Sequence, residues 1–466
     1  YSNYNKDNWS LHGGFITNSI QNGENGGLDA DSLIFSDDDT DLLNVNLNST
    51  RSKFGNTHLF FNGEYKLGKQ IEKGERRVMN EEGEEEFIPV MQFKPVVGFI
   101  YSFHYQNHYK EFTEDEDTTN FFRNTYFSDA YVKDSIRFRA IENNFQLKQY
   151  ENPDRKVSFG KRAFIGQEFV KTSSPGPIEG INNRESEKYS NIYAGGGIFR
   201  QTGSFWRWDF KGKIYFLGRN AGQTELSGII TKPFPFLGDS LAGLNISGRI
   251  ENRVPDVYQQ EYYSNHSKWK NDLKMEQNMT ARGSFVSPGR DMGLRFNYSL
   301  INNFIYNDTL GVPSQDDGQL LVLSAMADKG WELGNFNLRT RLLWQKASNE
   351  DILHLPDFSA FVSAYYKFIV SKVLYTQIGV DTRYFTRYFA DAYDPSTGLF
   401  HVQNDQKVGD FPYIDAHVNV RLKRTRVFFK MMNIGSEFLN KPFFTTPHYP
   451  MNRRTWRVGV AWTFYD

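Results

Sequence analysis

His104 and His108 form an H-x-x-x-H pair. On a helix this spacing puts two imidazoles on one face, where they can share a metal ion. The surrounding residues alternate polar and apolar, so a strand is expected here, and four strand residues span about 13 Å. That is too far for two bonds of about 2 Å to one ion, and the pair is set aside. The acidic runs Asp37–Asp39, Glu114-Asp115-Glu116-Asp117 and Asp316-Asp317 offer the oxygen ligands that calcium takes. They lack the glycine and the spacing of an EF-hand loop, so solvated loops are the better reading. The chain has no cysteine, hence no disulfide framework and no thiolate metal or redox site. Neither G-x-S-x-G nor another nucleophile signature occurs. Gly195-Gly196-Gly197 lies inside an alternating segment, where glycine marks a bend or close packing and not a phosphate loop. No catalytic residue, metal or cofactor is expected, and the chain is not expected to be an enzyme.

The abundant chemistry is charge at every second position. Trp206, Trp208, Phe210, Ile214 and Phe216 alternate with Arg207, Asp209, Lys211, Lys213 and Tyr215. Phe336, Leu338, Thr340, Leu342 and Trp344 alternate with Asn337, Arg339, Arg341 and Gln345. Ile414, Ala416, Val418, Val420 and Leu422 alternate with Asp415, His417, Asn419, Arg421 and Lys423. A strand sends such sets to opposite faces. Similar segments lie near 57–67, 93–106, 240–253, 290–300, 373–386 and 455–465. The polar faces collect Arg207, Lys211, Lys213, Arg249, Arg253, Arg295, Arg339, Arg341, Arg383, Arg387, Arg421, Lys423 and Arg457. Their acidic members are Glu64, Asp209, Glu251, Asp381 and Asp415. If these faces line water, the wall is net basic and favours anions. Asp209 beside Arg207 and Lys211, and Asp381 beside Arg383, fit the alternative that the charges pair with each other. Phe60, Tyr215, Leu343, Tyr375 and Phe385 fall on the same face and warn of a constriction.

The apolar faces carry Trp206, Trp208, Trp344, Trp456, Trp462 and Phe464 near segment ends, as a lipid-facing aromatic girdle would. Trp456 and Phe464 are eight residues apart, or about 26 Å along a strand. After tilt this matches the apolar band of an outer-membrane barrel. Composition agrees. Aromatic residues make up 16% of 466 residues, with Phe 41 and Tyr 26, yet 23% are charged. Lys+Arg 54 against Asp+Glu 55 leaves a net charge of -1, so no nucleic-acid partner is expected. No apolar run approaches the roughly 18 residues of a spanning helix. A soluble β-sandwich would also alternate, but its core could not bury so many unpaired charges.

These features predict an all-β fold, an antiparallel up-and-down transmembrane β-barrel. Short connections (Gln201–Ser204, Ser287–Arg290, Glu332–Asn335, Ser371–Val373, Lys423–Thr425) alternate with long polar ones (about 107–135, 172–188, 253–271, 307–318, 347–357, 388–411 and 436–453). About 17 strands are recognisable from residue 57 onward. One more near 41–50, with Leu43, Val45 and Leu47 on one face, gives 18 strands; 16 is the second choice. Residues 41–466 are assigned to the barrel and residues 1–40 to a polar N-terminal arm or plug. The segment 68–92, with Glu81–Glu86, is long where a short turn is expected. Residue 1 is Tyr and no signal peptide is present in this chain, which says nothing against export.

The C-terminal quarter resembles a known family. It contains Tyr393-Asp394-Pro395, Gly398-Leu399-Phe400, the run from Tyr413 to Lys430, His448-Tyr449-Pro450-Met451 and the ending Arg457-Val458-Gly459-Val460-Ala461-Trp462-Thr463-Phe464-Tyr465-Asp466. These resemble the "putative porin" family of outer-membrane proteins from the Bacteroidota, and Tyr65-Lys66-Leu67-Gly68 is a weaker match. The resemblance implies an outer-membrane β-barrel in a Gram-negative bacterium and brings no catalytic motif.

The expected function is a porin-like channel for passive diffusion of small hydrophilic solutes through a charged, net basic lumen, with the long loops setting the constriction. No plug domain of the size found in TonB-dependent transporters is visible, so no energy coupling is expected. The alternative is a non-conducting barrel that acts as a scaffold or accessory subunit of a larger envelope complex. Expected partners are outer-membrane lipid and lipopolysaccharide, with a homo-oligomer or other envelope proteins as further candidates.

Overall fold

A computed structural model describes residues 2–464 apart from 7, 37–41, 80–84, 116–120, 129–130, 153–154, 156–157, 177–183 and 203–205. One 19-stranded sheet dominates. Its strands are β1 (Ser2–Lys6), β2 (Trp9–Glu24), β3 (Thr50–Met79), β4 (Glu85–Glu114), β5 (Val132–Gln149), β6 (Gly160–Pro175), β7 (Arg184–Arg200), β8 (Arg207–Leu217), β9 (Thr224–Pro233) and β10 (Gly243–Arg253). They continue with β11 (Glu276–Ser287), β12 (Met292–Asn302), β13 (Gln319–Leu333), β14 (Phe336–Ala347), β15 (Phe358–Val370) and β16 (Leu374–Phe385). The last are β17 (Tyr413–Leu422), β18 (Thr425–Met432) and β19 (Thr455–Trp462). Each strand pairs antiparallel with the next in sequence, from β1–β2 to β18–β19. Among the described residues no ladder joins β19 to β1.

Connections alternate as the sequence predicts. Tight turns sit at one end of the sheet, and residues 25–49, 115–131, 254–275, 303–318, 348–357, 386–412 and 433–454 connect strands at the other. The tight turns use left-handed backbone. Gly334 (φ 62) takes it without steric cost, and Ser371 and Lys372 (φ 49 and 62) form a two-residue reversal whose twist suits flanking antiparallel strands.

Three expectations change. Within the polar segment 1–40, residues 9–24 supply wall: β2 pairs with β3 from Trp9↔Tyr65 to Glu24↔Thr50. Its Asn, Ser and Gly hide the strand pattern, because both faces mix small polar groups with scattered apolar ones such as Phe15 and Ile16. Within the segment near 41–50, residues 42–49 form no sheet strand. It makes one isolated bridge, Leu28↔Val45, and buries Leu43 and Val45 against loop residues Phe411 and Phe443. Its alternation reflects a loop packed on one side. Among the described residues the sheet therefore has 19 strands where 18 or 16 were expected, and 17 of them run from β3 onward, against about 17 expected from residue 57 onward. The long segment 68–92 is a continuation of β3 and β4, which pair with each other from Gly68↔Pro95 to Met79↔Glu85 after their outer neighbours have ended. This ribbon runs about 35–40 Å past the sheet at the tight-turn end. Asp37–Asp39 and the residues Glu81–Glu84 lie outside the described residues.

Register separates two faces. One presents Phe210, Ile214, Leu226, Ile246, Leu294, Phe296, Val458 and Val460 as exposed apolar side chains. The other carries the charges and is concave, because side chains two strands apart meet on it. Tyr193 of β7 reaches over Gly166 of β6 to donate to Glu142 of β5 at 2.5 Å. Tyr215 of β8 likewise donates to Glu168 of β6 at 2.6 Å. Gly195 makes room for Phe164, and a Cβ there would also strike the Gly212 carbonyl. Gly195→Val is expected to destabilise the sheet by about 1–3 kcal/mol through overpacking. Loss of heat-resistant, folded migration at a lower temperature than wild type measures it.

Candidate functional site

The concave face is the candidate site, and the ladders assemble it strand by strand. On β8, Arg207, Asp209, Lys211 and Lys213 stand opposite Thr231, Ile229, Ser227 and Glu225 of β9. Ser227 and Glu225 stand opposite Arg249 and Glu251 of β10, which continues to Arg253. The same face runs through Arg295 of β12 and Arg339 and Arg341 of β14. It continues through Asp381 and Arg383 of β16, Asp415 and Arg421 of β17 and Arg457 of β19. Arg387 and Lys423 are exceptions. Arg387 lies in the connection after β16, and Lys423 occupies the β17–β18 turn with φ 51.

Many of the wall charges are paired. Arg249 meets Glu225 at 3.3 Å and Glu251 at 3.1 Å, and Arg253 meets Glu276 at 3.3 Å. Asp328 of β13 sits between Arg295 and Arg341, 2.5 Å from each. Asp209 pairs with Arg162 of β6. Asp415, almost fully buried, takes Arg383 at 2.8 Å, Lys430 of β18 at 2.9 Å and the Asn433 N–H at 2.9 Å. Asp381 faces His417 at 3.5 Å and Lys430 at 3.6 Å. Glu142, Glu168, Glu225, Glu276 and Asp328 share this face and were missed in the sequence, as were Arg162, Arg282 and Lys430. Their strands lack a clean polar row: on β13 the inward positions include Val322 and Met326 beside Asp328, which blurs the period. The added carboxylates offset much of the basic excess that the sequence suggested. Each half-exposed pair stabilises by about 1 kcal/mol or less, so the pairs set the wall's field more than its stability.

The convex face holds the aromatic residues singled out in the sequence. Trp206, Trp344, Trp456, Trp462 and Phe464 are exposed, and Trp208 is half-buried against Phe210. Trp206 and Trp208 flank the tight-turn end, where Trp462 stacks on Phe464 at 5.1 Å. Trp344 and Trp456 lie towards the long-loop end. On the concave face stand Phe60, Tyr215, Leu343, Tyr375 and Phe385, as expected.

At the long-loop end, connections from distant strands fold onto the concave face and meet. Asn265, from the β10–β11 connection, is buried and bonded on every side. Its N–H donates to Asp134 at 2.7 Å, and its side-chain oxygen accepts from the Phe127 and Ser128 N–H groups at 2.8 and 3.0 Å. Its amide nitrogen donates to the Ser128 carbonyl at 2.9 Å. Next to it, His266 faces Glu114 at 2.6 Å and the Asn124 carbonyl at 2.8 Å, stacked on Phe122. Tyr258 donates to the Arg137 carbonyl at 2.9 Å, and burial pushes its phenol up to about 12. The β16–β17 connection arrives from the other side. Lys110 of β4 donates to the Ser396 carbonyl, Tyr393 donates to Glu24 of β2 at 3.3 Å, and Ser396 meets Ser267 at 3.4 Å. Asn307 of the β12–β13 connection donates to the Phe400 carbonyl at 2.8 Å. These loops enclose a cavity of about 390 Å³ bordered by Phe121, Arg123, Tyr126, Lys268, Trp269 and Tyr393. Sequence reading found the loops but not their contacts, since no local pattern encodes a meeting between residues 134 and 265.

With this geometry established, comparison with known proteins assigns the chain to a family. A family model described as "Putative porin" matches residues 1–466. The chain belongs to that porin family. Among solved structures, this porin-family chain is similar to the copper transporter OprC, with a TM-score of 0.57 at 13% identity over 99% of this chain and 76% of that one. It is similar to the ferric enterobactin receptor PfeA of Pseudomonas aeruginosa, with a TM-score of 0.55 at 10% identity over 98% and 76%. The ferric-catecholate import receptor Fiu of K12 E. coli gives 0.57 at 10% over 97% and 72%. At such identities the likeness is one of fold, that of large antiparallel outer-membrane β-barrel proteins. Comparison with curated protein sequences finds no match.

Asn265→Ala removes the side-chain amide that the porin-family chain's loop cap shares and leaves the Phe127 and Ser128 N–H groups without their acceptor, at a cost of about 1–3 kcal/mol, while the backbone N–H of residue 265 keeps its bond to Asp134. Faster proteolytic nicking of residues 115–131 and 254–275 in the folded protein, with the strands intact, is the expected result.

Proposed function

We propose that this protein is an outer-membrane channel of a Gram-negative bacterium through which small hydrophilic solutes diffuse passively. Its convex face meets lipid and lipopolysaccharide, and its role is non-enzymatic. The observation that carries this reading is the continuous charged and polar face opposite a continuous exposed apolar one. Such a face remains hydrated only if it lines water, and a wall of this many strands leaves room for an aqueous path unless loops or a plug fill it. Residues 2–24 contribute strands and the 68–95 ribbon projects away, so neither fills the lumen as the scaffold reading would require. The long loops do cover one end, and they set the constriction. Because the wall's carboxylates offset much of its basic charge, the channel discriminates weakly between ions, with a small preference for anions from the remaining basic excess.

The ribbon favours a second role alongside the first. A two-stranded extension that, among the described residues, has no third strand laddered to either side offers backbone groups for strand addition by another envelope protein.

Single-channel recording in a planar bilayer with a KCl gradient tests the proposal. A small, steady conductance with a reversal potential near zero, slightly towards chloride, is expected. Replacing Ala392–His401 by a short linker raises the conductance severalfold. Asp328→Asn frees Arg295 and Arg341 and moves the reversal potential further towards chloride. Folded, inserted protein that conducts neither before nor after loop shortening contradicts the channel and leaves the scaffold.

A further inference from the structure

Three histidines from two strands gather on the concave wall. His58 of β3 stands opposite Gln106, midway between His104 and His108 of β4. His58 Nδ1 lies 3.1 Å from His104 Nε2, with the rings stacked at 5.3 Å. On its other side, the His108 ring meets the His58 ring edge-on at 5.0 Å. All three are half-buried and therefore reachable from the lumen. The neighbours are neutral amides and hydroxyls such as Asn62 and Ser102, 2.7 Å apart, and Glu142 stands opposite His104 on β5.

We propose that His58 and His104 bind a divalent transition-metal ion, Cu²⁺ above Zn²⁺, on the inner wall. The separation of the two nitrogens decides this. Two metal–imidazole bonds of about 2.0–2.1 Å at angles near 90–110° place their nitrogens about 2.9–3.4 Å apart. The observed 3.1 Å falls within that interval. An ion would take the place of the hydrogen bond between the two nitrogens, with the rings turning slightly so that both lone pairs point at it. Imidazole is a ligand suited to copper and zinc, and copper is the tighter binder of the two. The objection to His104 and His108 as a pair stands, and it does not apply here: the second ligand comes from the adjacent strand and not from four residues along the same one. Among the described residues no three His, Cys, Asp or Glu side chains form a closed metal cage. The site is thus an open one, completed by water or a passing solute, and it holds an ion reversibly. It goes beyond the channel reading and does not depend on whether the lumen conducts.

The test uses the full chain without a polyhistidine tag, folded in detergent and checked by heat-modifiable migration. Titration with CuCl₂, read by calorimetry and electron paramagnetic resonance, is expected to give one tight Cu²⁺ per chain with hyperfine structure from two imidazole nitrogens. His58→Ala and His104→Ala each weaken binding tenfold or more, and His448→Asn in the exposed loop leaves it unchanged. His58→Asn and His104→Asn repeat the test with polar replacements should either alanine variant fold poorly. Binding weakens as protons compete for the imidazoles at acidic pH. No tight Cu²⁺ in the folded wild type, or Cu²⁺ that survives loss of both imidazoles, overturns the proposal.

Discussion

A backbone N–H or C=O inside a bilayer has no water to bond, so it must find its partner within the protein. A meander of antiparallel strands meets that demand locally, because each strand bonds the next. Once the backbone is committed to strands, side chains have only two directions. The period of two then fixes which residue meets which solvent, and a one-residue slip would exchange arginine for leucine along a whole strand. The apolar row Trp456, Val458, Val460 and Trp462 and the polar row beginning with Arg457 are one consequence. The glycines that let Tyr193 and Phe164 lie flat across neighbouring strands are another.

The same constraint explains where the charges go. Arginines that turn inward cannot spread apart, because each strand lies about 4.8 Å from the next. Carboxylates at matching registers answer them, as Asp328 answers Arg295 and Arg341. A wall built this way is highly polar with only a modest basic excess, which fits the proposed passage of many hydrophilic solutes better than capture of one. Under that proposal selectivity moves to the long-loop end, where Asn265 ties the β4–β5 and β10–β11 connections together and Ser396 meets Lys110 and Ser267. The cap is held by hydrogen bonds and aromatic stacking and carries little of the sheet's own ladder, so it is the part that can rearrange while the wall stays fixed.

The strands were legible where one face is large and apolar. β14, β17 and β19 show Phe, Leu, Val and Trp at alternate positions against Arg, Asp and His, and their faces follow directly from the sequence. β2 was not legible, because Asn18, Ser19, Gln21 and Asn22 resemble a flexible polar terminus until Asn56, Gly55, Lys53 and Ser52 of β3 are placed beside them. Residues 43–47 misled for the opposite reason: a loop packed on one side alternates like a strand. The balance of charge was half visible. Each strand shows its own charges, but which carboxylate faces which guanidinium depends on register between strands, and a single sequence does not print register. The meeting of His58 with His104, 46 residues away, was hidden in the same way.

The central claim is that the charged face lines water and the apolar face meets lipid. The chain has no cysteine, so single thiols can be placed one at a time along β14 without background. Cysteines at 338 to 344, reconstituted in lipid, would be challenged with a charged, membrane-impermeant thiol reagent. Labelling should alternate, with Arg339→Cys, Arg341→Cys and Leu343→Cys reacting and Leu338→Cys, Thr340→Cys and Leu342→Cys protected. Uniform labelling, uniform protection or the opposite phase would contradict the account.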